Sequence, residues 1–130
     1  MKGRLRARLR ARLLTAWAAA TCAVLLAGCP TAEQALEDQQ AQRGRELMAR
    51  YHCGACHRIP GVAAAQGHRA ASLAAYGRRS YIAGRVANDG GTLALWISDP
   101  ASVVPGTLMP NMGVSAVDAR DMALYLGRQR

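Results

Sequence analysis

The sequence predicts an all-α domain with long loops over residues 43–130, and three observations support this fold class. Two segments, one at each end of that range, space their apolar residues as an amphipathic helix does. A third apolar segment between them ends at Asp99-Pro100, a pair typical of a helix boundary. No segment alternates apolar and polar residues over the length of a strand.

The first predicted helix leads into the cysteine-containing centre of the chain. Gly44, Leu47, Met48 and Tyr51 fall at positions i, i+3, i+4 and i+7, which places them on one face. A short helical turn is expected later, over residues 70–76.

Two further helices are predicted in the C-terminal half. One spans about residues 91–98 and contains Trp96. The other opens with a capping box, Ser115-Ala116-Val117-Asp118, and ends near Gly127. Because the apolar content is rich in alanine and contains no phenylalanine, so small a domain needs an additional element to complete its core.

The N-terminal residues have the pattern of an export signal. Residues 1–12 contain six basic residues and no acid, and residues 13–26 form an apolar run. That run is shorter than the roughly 20 residues that a membrane-spanning helix needs. We therefore predict a signal peptide over residues 1–28 and an exported protein.

The signal ends in Leu26-Ala27-Gly28-Cys29, which resembles the cleavage box of bacterial lipoproteins. In this interpretation Cys29 is lipidated, and residues 29–42 form a polar and partly helical tether that leads to the domain over residues 43–130. The protein is then held on the periplasmic side of a membrane. The alternative is ordinary cleavage near Ala27, which leaves Cys29 as an unpaired thiol.

The strongly basic composition comes mainly from the signal. The whole chain has 17 Lys and Arg against 8 Asp and Glu, a net charge of +9. Removing residues 1–28 leaves 11 basic against 8 acidic residues, a net charge of +3. With no phosphate-binding loop or aromatic-basic platform, the sequence does not predict nucleic-acid binding.

Cys53-Gly54-Ala55-Cys56-His57 is the most informative motif in the chain. Two thiols three residues apart can add to the two vinyl groups of a haem, and the adjoining His57 can ligate the iron. Zinc sites and dithiol oxidoreductases also use C-x-x-C, but neither needs the histidine, and the chain lacks a thioredoxin-like βαβ pattern. The motif predicts one haem c, covalently bound through Cys53 and Cys56.

A proline-rich loop over residues 105–113 offers the second iron ligand. Met109 lies between Pro105 and Pro110, so the loop is stiff and extended there. A thioether is a soft ligand that favours ferrous iron. We predict ligation by Met109; Met112, a histidine such as His68, or an open site are the alternatives, as is simple filling of a core gap by methionine.

The chain resembles the class I cytochrome c family, in particular small bacterial single-haem domains like those fused to oxidase and dehydrogenase subunits. The resemblance covers residues 44–126. The haem motif alone occurs in unrelated proteins, whereas its combination with the other segments is more specific. These segments are Tyr81-Ile82-Ala83-Gly84, residues 93–100 with Trp96, residues 105–110 with Met109, and Tyr125-Leu126.

This resemblance implies a fold of three to five helices around one covalently bound haem. It implies thioethers at Cys53 and Cys56, axial ligation by His57 and Met109, and approach of Trp96, Tyr81 and Arg79 to the haem propionates. It also implies a close crossing of the first and last helices at Gly44, near Tyr125. The family usually has a proline whose carbonyl accepts the imidazole N–H; here the corresponding residue is Ala71, whose carbonyl is free to serve instead.

A six-coordinate His/Met haem passes single electrons and has no open position for a substrate. The expected function is therefore electron transfer by a carrier, not catalysis, between a dehydrogenase or quinol-oxidising complex and a terminal oxidase or reductase. The alternatives are a haem c subunit of a larger oxidase or dehydrogenase, and a haem peroxidase or gas sensor in which Met109 leaves the iron readily.

Overall fold

The computed structural model describes residues 30–130 and confirms the all-α class. Residues Ala35–Arg130 form one compact unit. None of the helices in the described residues is long and apolar enough to cross a bilayer. The elements are helix α1 (Ala32–Arg50), two single turns of 3₁₀ helix (Cys53–Ala55 and Tyr76–Arg78), strands β1 (Tyr81–Ile82) and β2 (Val86–Ala87), and helices α2 (Gly90–Ser98), α3 (Pro100–Val103) and α4 (Ala116–Gly127).

Helix α1 begins well before the predicted domain boundary. Thr31 and Gln34 form a reciprocal capping box, in which the Gln34 amide donates to Thr31 Oγ1 and the Thr31 amide donates to Gln34 Oε1. The helix therefore includes most of the segment that the sequence assigns to a tether. Its buried residues begin only at Ala41 and continue with the predicted stripe of Gly44, Leu47 and Met48.

Helices α1 and α4 cross in close contact at Gly44. A Cβ atom added there would lie 2.0 Å from the Asp121 carbonyl oxygen, so only glycine permits this approach. The crossing lies one turn before Tyr125, the position expected from the sequence. Polar contacts flank it: Arg43 pairs with the buried Asp121 carboxylate, and the Tyr51 hydroxyl donates to Asp118 Oδ2 at 2.9 Å. That hydrogen bond is the main cause of a raised pKa at Tyr51.

The remaining helices begin at the caps that local sequence provides. The Asp89 carboxylate accepts the Thr92 amide at the start of α2, and the Ser115 hydroxyl accepts the Asp118 amide at the start of α4. The second half of the predicted capping box does not form, because the Asp118 carboxylate bonds Tyr51 instead. Helix α2 packs on α4, and their buried residues share one core with α1, including Leu47, Leu93, Ile97, Met122 and Leu126.

Two local predictions need correction. The turn expected over residues 70–76 forms instead at Tyr76–Arg78, because the Arg69 and Ala70 amides donate to Cys56 and the Leu73 amide donates to Arg58. The sequence also gave no sign of the antiparallel ribbon of β1 and β2. Each strand has two residues, which is too short to show alternation, and Ala83 and Gly84 make the turn with positive φ.

Candidate functional site

A cavity of about 610 Å³ opens into the core between the cysteine motif, the ribbon and helices α2 and α4. This volume lies within the usual range of ligand-binding pockets. All seven residues that the sequence assigned to the cofactor line this one cavity: Cys53, Cys56, His57, Arg79, Tyr81, Trp96 and Met109.

The two thiols lie on a single 3₁₀ turn at the cavity wall. His57 donates its amide to the Cys53 carbonyl at 3.0 Å, which closes the turn on the residue that follows Cys56. Cys53 is half-buried and Cys56 is exposed, and among the described residues neither forms a disulfide. Burial raises the pKa of the Cys53 thiol.

Two glycines allow the following loop to pack directly against this turn. A Cβ atom at Gly54 would lie 2.6 Å from Ala65 Cα, and one at Gly67 would lie 2.5 Å from the Cys56 carbonyl carbon. The Gly67 amide donates to the Gly54 carbonyl at 3.0 Å. The sequence analysis did not predict the close packing at these two positions. The signal that could have indicated it is the presence of glycines within and shortly after the cysteine motif.

The imidazole of His57 is oriented by a backbone carbonyl. Its Nδ1 lies 2.6 Å from the Ala71 carbonyl oxygen, the acceptor anticipated from the sequence. A carbonyl can only accept, so this contact selects the Nδ1–H tautomer, in which the lone pair of the neutral imidazole is on Nε2. The chain around Ala71 is itself fastened, because the Arg69 and Ala70 amides donate to Cys56 and the Leu73 amide donates to Arg58.

Met109 reaches the same cavity from a loop held by local contacts. Its amide lies 3.2 Å from Thr107 Oγ1, and the Thr107 amide donates to Val104 at 3.1 Å. Met109 is half-buried, whereas Met112 is 41% exposed and does not line the cavity. Of the two methionines in this loop, Met109 therefore lines the cavity and Met112 does not.

The two other histidines lie away from the cavity. His52 is exposed and has a positive φ at the residue before Cys53. His68 is also exposed, and its Nδ1 lies 3.0 Å from the Gln66 carbonyl oxygen. Neither residue is part of the cavity lining.

The three residues assigned to the propionates differ in their surroundings. Trp96 is half-buried on α2, and Tyr81 is 60% exposed on β1. The Arg79 guanidinium donates to the Ser72 carbonyl and lies 4.9 Å from the centre of the Tyr76 ring. Arg79 is thus held by the protein and is not a freely solvated charge.

Cys29, the residue predicted to carry a lipid, lies outside the described residues. Within residues 30–130, no group of three or more His, Cys, Asp or Glu side chains is arranged to hold a metal ion.

Comparison with known proteins gives a consistent set of matches. The model of the Cytochrome c family matches residues 41–129. The chain is 34% identical over 87 residues to cytochrome c oxidase subunit 2 of Alkalihalophilus pseudofirmus, a match that covers 66% of this chain and 25% of that protein. It is 32% identical over 91 residues to cytochrome c oxidase subunit 2 of Bacillus subtilis, covering 68% of this chain and 26% of that protein. The chain thus spans about a quarter of the length of these relatives, and no solved structure matches it significantly.

Proposed function

The chain belongs to the cytochrome c family, and from that premise we propose that it carries single electrons through one haem c ligated by His57 and Met109. The observation that carries this proposal is the cavity, which brings the two thiols and the imidazole of the cysteine motif together with the Met109 thioether from a distant loop. Members of this family bind haem c covalently through the cysteines of C-x-x-C-H, the positions that Cys53 and Cys56 occupy.

The residues that line the cavity fit a haem c. Most of the cavity wall is apolar, with Leu93 and Ile97 from helix α2 and Leu73 from the loop before the second 3₁₀ turn. Arg69 and Arg79 also line it and supply positive charge for carboxylates. When bound, haem c supplies a one-electron iron couple, and a thioether ligand favours its ferrous state.

The hydrogen bond of His57 selects the tautomer that an axial ligand needs. With Nδ1 donating to the Ala71 carbonyl, Nε2 is the nitrogen of the neutral imidazole that would bind the metal. Within residues 30–130, three methionines line the cavity: Met48, Met109 and Met122. Met109 is the one that belongs to the proline-rich loop, and Met112 of that loop is not part of the lining.

The polar groups at the site favour a carrier over a catalyst. Within residues 30–130 the cavity lining contains no carboxylate and no imidazole other than His57. A peroxidase would need a second group positioned to move protons.

The distribution of charge indicates an acidic redox partner. Residues 47–88 contain six arginines and no acidic residue, and two of those arginines line the cavity. Arg58, Arg78 and Arg85 are exposed. We propose that this basic region docks onto the acidic surface of a respiratory dehydrogenase, a quinol-oxidising complex or a terminal oxidase or reductase, through a small and salt-sensitive contact.

We also propose that the protein is exported and held on the periplasmic side of a membrane by a lipid on Cys29. The support is the basic and apolar pattern of residues 1–28 and the cleavage box that ends at Cys29. Cys29→Ser tests this directly. The variant should move from the membrane to the soluble periplasmic fraction and stop incorporating labelled fatty acid, whereas Cys22→Ser should change neither property.

Membership of a larger oxidase is the second candidate, because both relatives are oxidase subunits. Purification in mild detergent separates the two possibilities. A diffusing carrier should elute alone at moderate salt, and a resident subunit should elute with its partners.

The test of the main proposal is a redox titration of the purified protein with a haem stain after denaturing electrophoresis. The stain should survive denaturation, since thioether bonds are covalent. The titration should show one one-electron step. Loss of the stain, or a two-electron dithiol couple, would contradict the proposal.

A further inference from the structure

We infer that Arg79 is a positioning residue that holds the Ala71 carbonyl against His57, and so sets the strength of the hydrogen bond to the iron-ligating imidazole. The inference rests on the proposed ligation by His57. In this role the Arg79 side chain holds a backbone carbonyl of the protein, which is distinct from contact with a cofactor carboxylate.

The relevant contacts are two successive carbonyl groups in one short segment. Ala71 offers its carbonyl oxygen to His57 Nδ1 at 2.6 Å, and Ser72 offers its own to the Arg79 guanidinium. The two carbonyls belong to adjacent peptide planes that are separated by φ and ψ of Ser72 alone, so holding the second carbonyl limits the rotation of the first. Arg79 thereby limits the direction in which the Ala71 carbonyl can turn.

This segment has few other restraints at its centre. Its two ends are held by the Arg69 and Ala70 amides, which donate to Cys56, and by the Leu73 amide, which donates to Arg58. Among the described residues, the amide of Ala71 donates no hydrogen bond. The Ser72 side chain accepts only the nearby Ala74 amide, at 3.2 Å.

Arg79 is well placed to act as a fixed donor. Its guanidinium lies 4.9 Å from the centre of the buried Tyr76 ring, and Asn88 Nδ2 donates to the Arg79 carbonyl at 2.8 Å. Within residues 30–130 no carboxylate pairs with Arg79. A charged donor makes a strong hydrogen bond to a neutral carbonyl. The Tyr76 ring keeps the guanidinium in position, and Asn88 holds the backbone of Arg79.

The test measures the exchange rate of the His57 Nδ1 proton in the reduced holoprotein by NMR of ¹⁵N-labelled histidine. Arg79→Gln should accelerate this exchange about tenfold, the equivalent of one lost hydrogen bond. Arg78→Gln removes the same charge from an exposed neighbour and should leave the rate unchanged. Arg79→Lys, which keeps a cationic donor, should fall between the wild type and Arg79→Gln.

A second variant separates positioning from charge. Ala71→Pro fixes φ at the residue that carries the acceptor and removes no hydrogen bond among the described residues. Added to Arg79→Gln, it should return the exchange rate to within about threefold of wild type, although the charge remains absent.

The outcomes distinguish this inference from the proposed function. A protein without haem would overturn the proposed function. A haem-containing Arg79→Gln variant with unchanged exchange would overturn only the role of Arg79, as would equal acceleration in Arg78→Gln or no recovery on adding Ala71→Pro.

Discussion

The two walls of the cavity are built in different ways. On the histidine side, the motif turn, the loop after it and the segment around Ala71 are joined by backbone hydrogen bonds between residues distant in sequence, such as Gly67 to Gly54 and Leu73 to Arg58. On the methionine side, the hydrogen bonds around Met109 join residues two or three positions apart.

This difference indicates how each ligand is held. The histidine side is fixed by tertiary structure, and its close packing leaves no space for larger residues at Gly54 and Gly67. The methionine side is fixed by the conformation of its own loop, with Gly106 and Gly113 at positive φ and open space around both. We therefore expect the methionine side to open first when the protein is destabilised.

The largest effect is expected on the histidine side. Gly67→Ala forces a Cβ atom against the Cys56 and Gly54 backbone, which cannot move aside, and should lower the free energy of unfolding by about 3 kcal/mol. Gly90→Ala is the matched control, because no atom lies within 4 Å of its added Cβ; it should change stability by under about 0.5 kcal/mol. Denaturant unfolding of the holoproteins measures both. Equal effects would show that the packing at Gly67 is not tight.

An intermediate effect is expected on the methionine side. Gly113→Ala meets no steric contact, but it places a side chain at a φ of 68°, which should cost about 1.5 kcal/mol. The variant should also weaken the optical signature of sulfur ligation before it loses the haem. If Gly113→Ala proves more damaging than Gly67→Ala, the contrast between the two walls is wrong.

The smallest effect concerns pH and helix α2, which contributes Trp96 to the cavity. Hydrogen bonds from Thr92 to the Asp89 carboxylate lower the pKa of Asp89. A carboxyl group with a lowered folded-state pKa stabilises the fold above its ordinary pKa, and this contribution is lost as the pH falls through the lowered value. Stability should therefore decline below about pH 4. Asp89→Asn keeps a capping oxygen and should reduce this part of the decline; an unchanged pH profile would show that other carboxylates cause it.

Much of this architecture could be predicted from local sequence. Helical spacing identified α1, α2 and α4, and the Ser115 cap and the cysteine motif were evident because each depends on neighbouring residues. The antiparallel ribbon and the packing of Gly54 and Gly67 depend on residues brought together by tertiary structure, so no local pattern revealed them. The same applies to Arg79, whose acceptor, Ser72, was not predictable from its charge.

The most direct test of the account compares the visible spectra of Met109→Ala and Met112→Ala with that of the wild type, in both oxidation states. The wild type should show a covalently bound haem with sulfur ligation. Met109→Ala should lose the sulfur-dependent absorption and bind carbon monoxide in the reduced state, and Met112→Ala should match the wild type. A colourless wild-type protein, or a Met109→Ala variant with unchanged bands, would contradict the account.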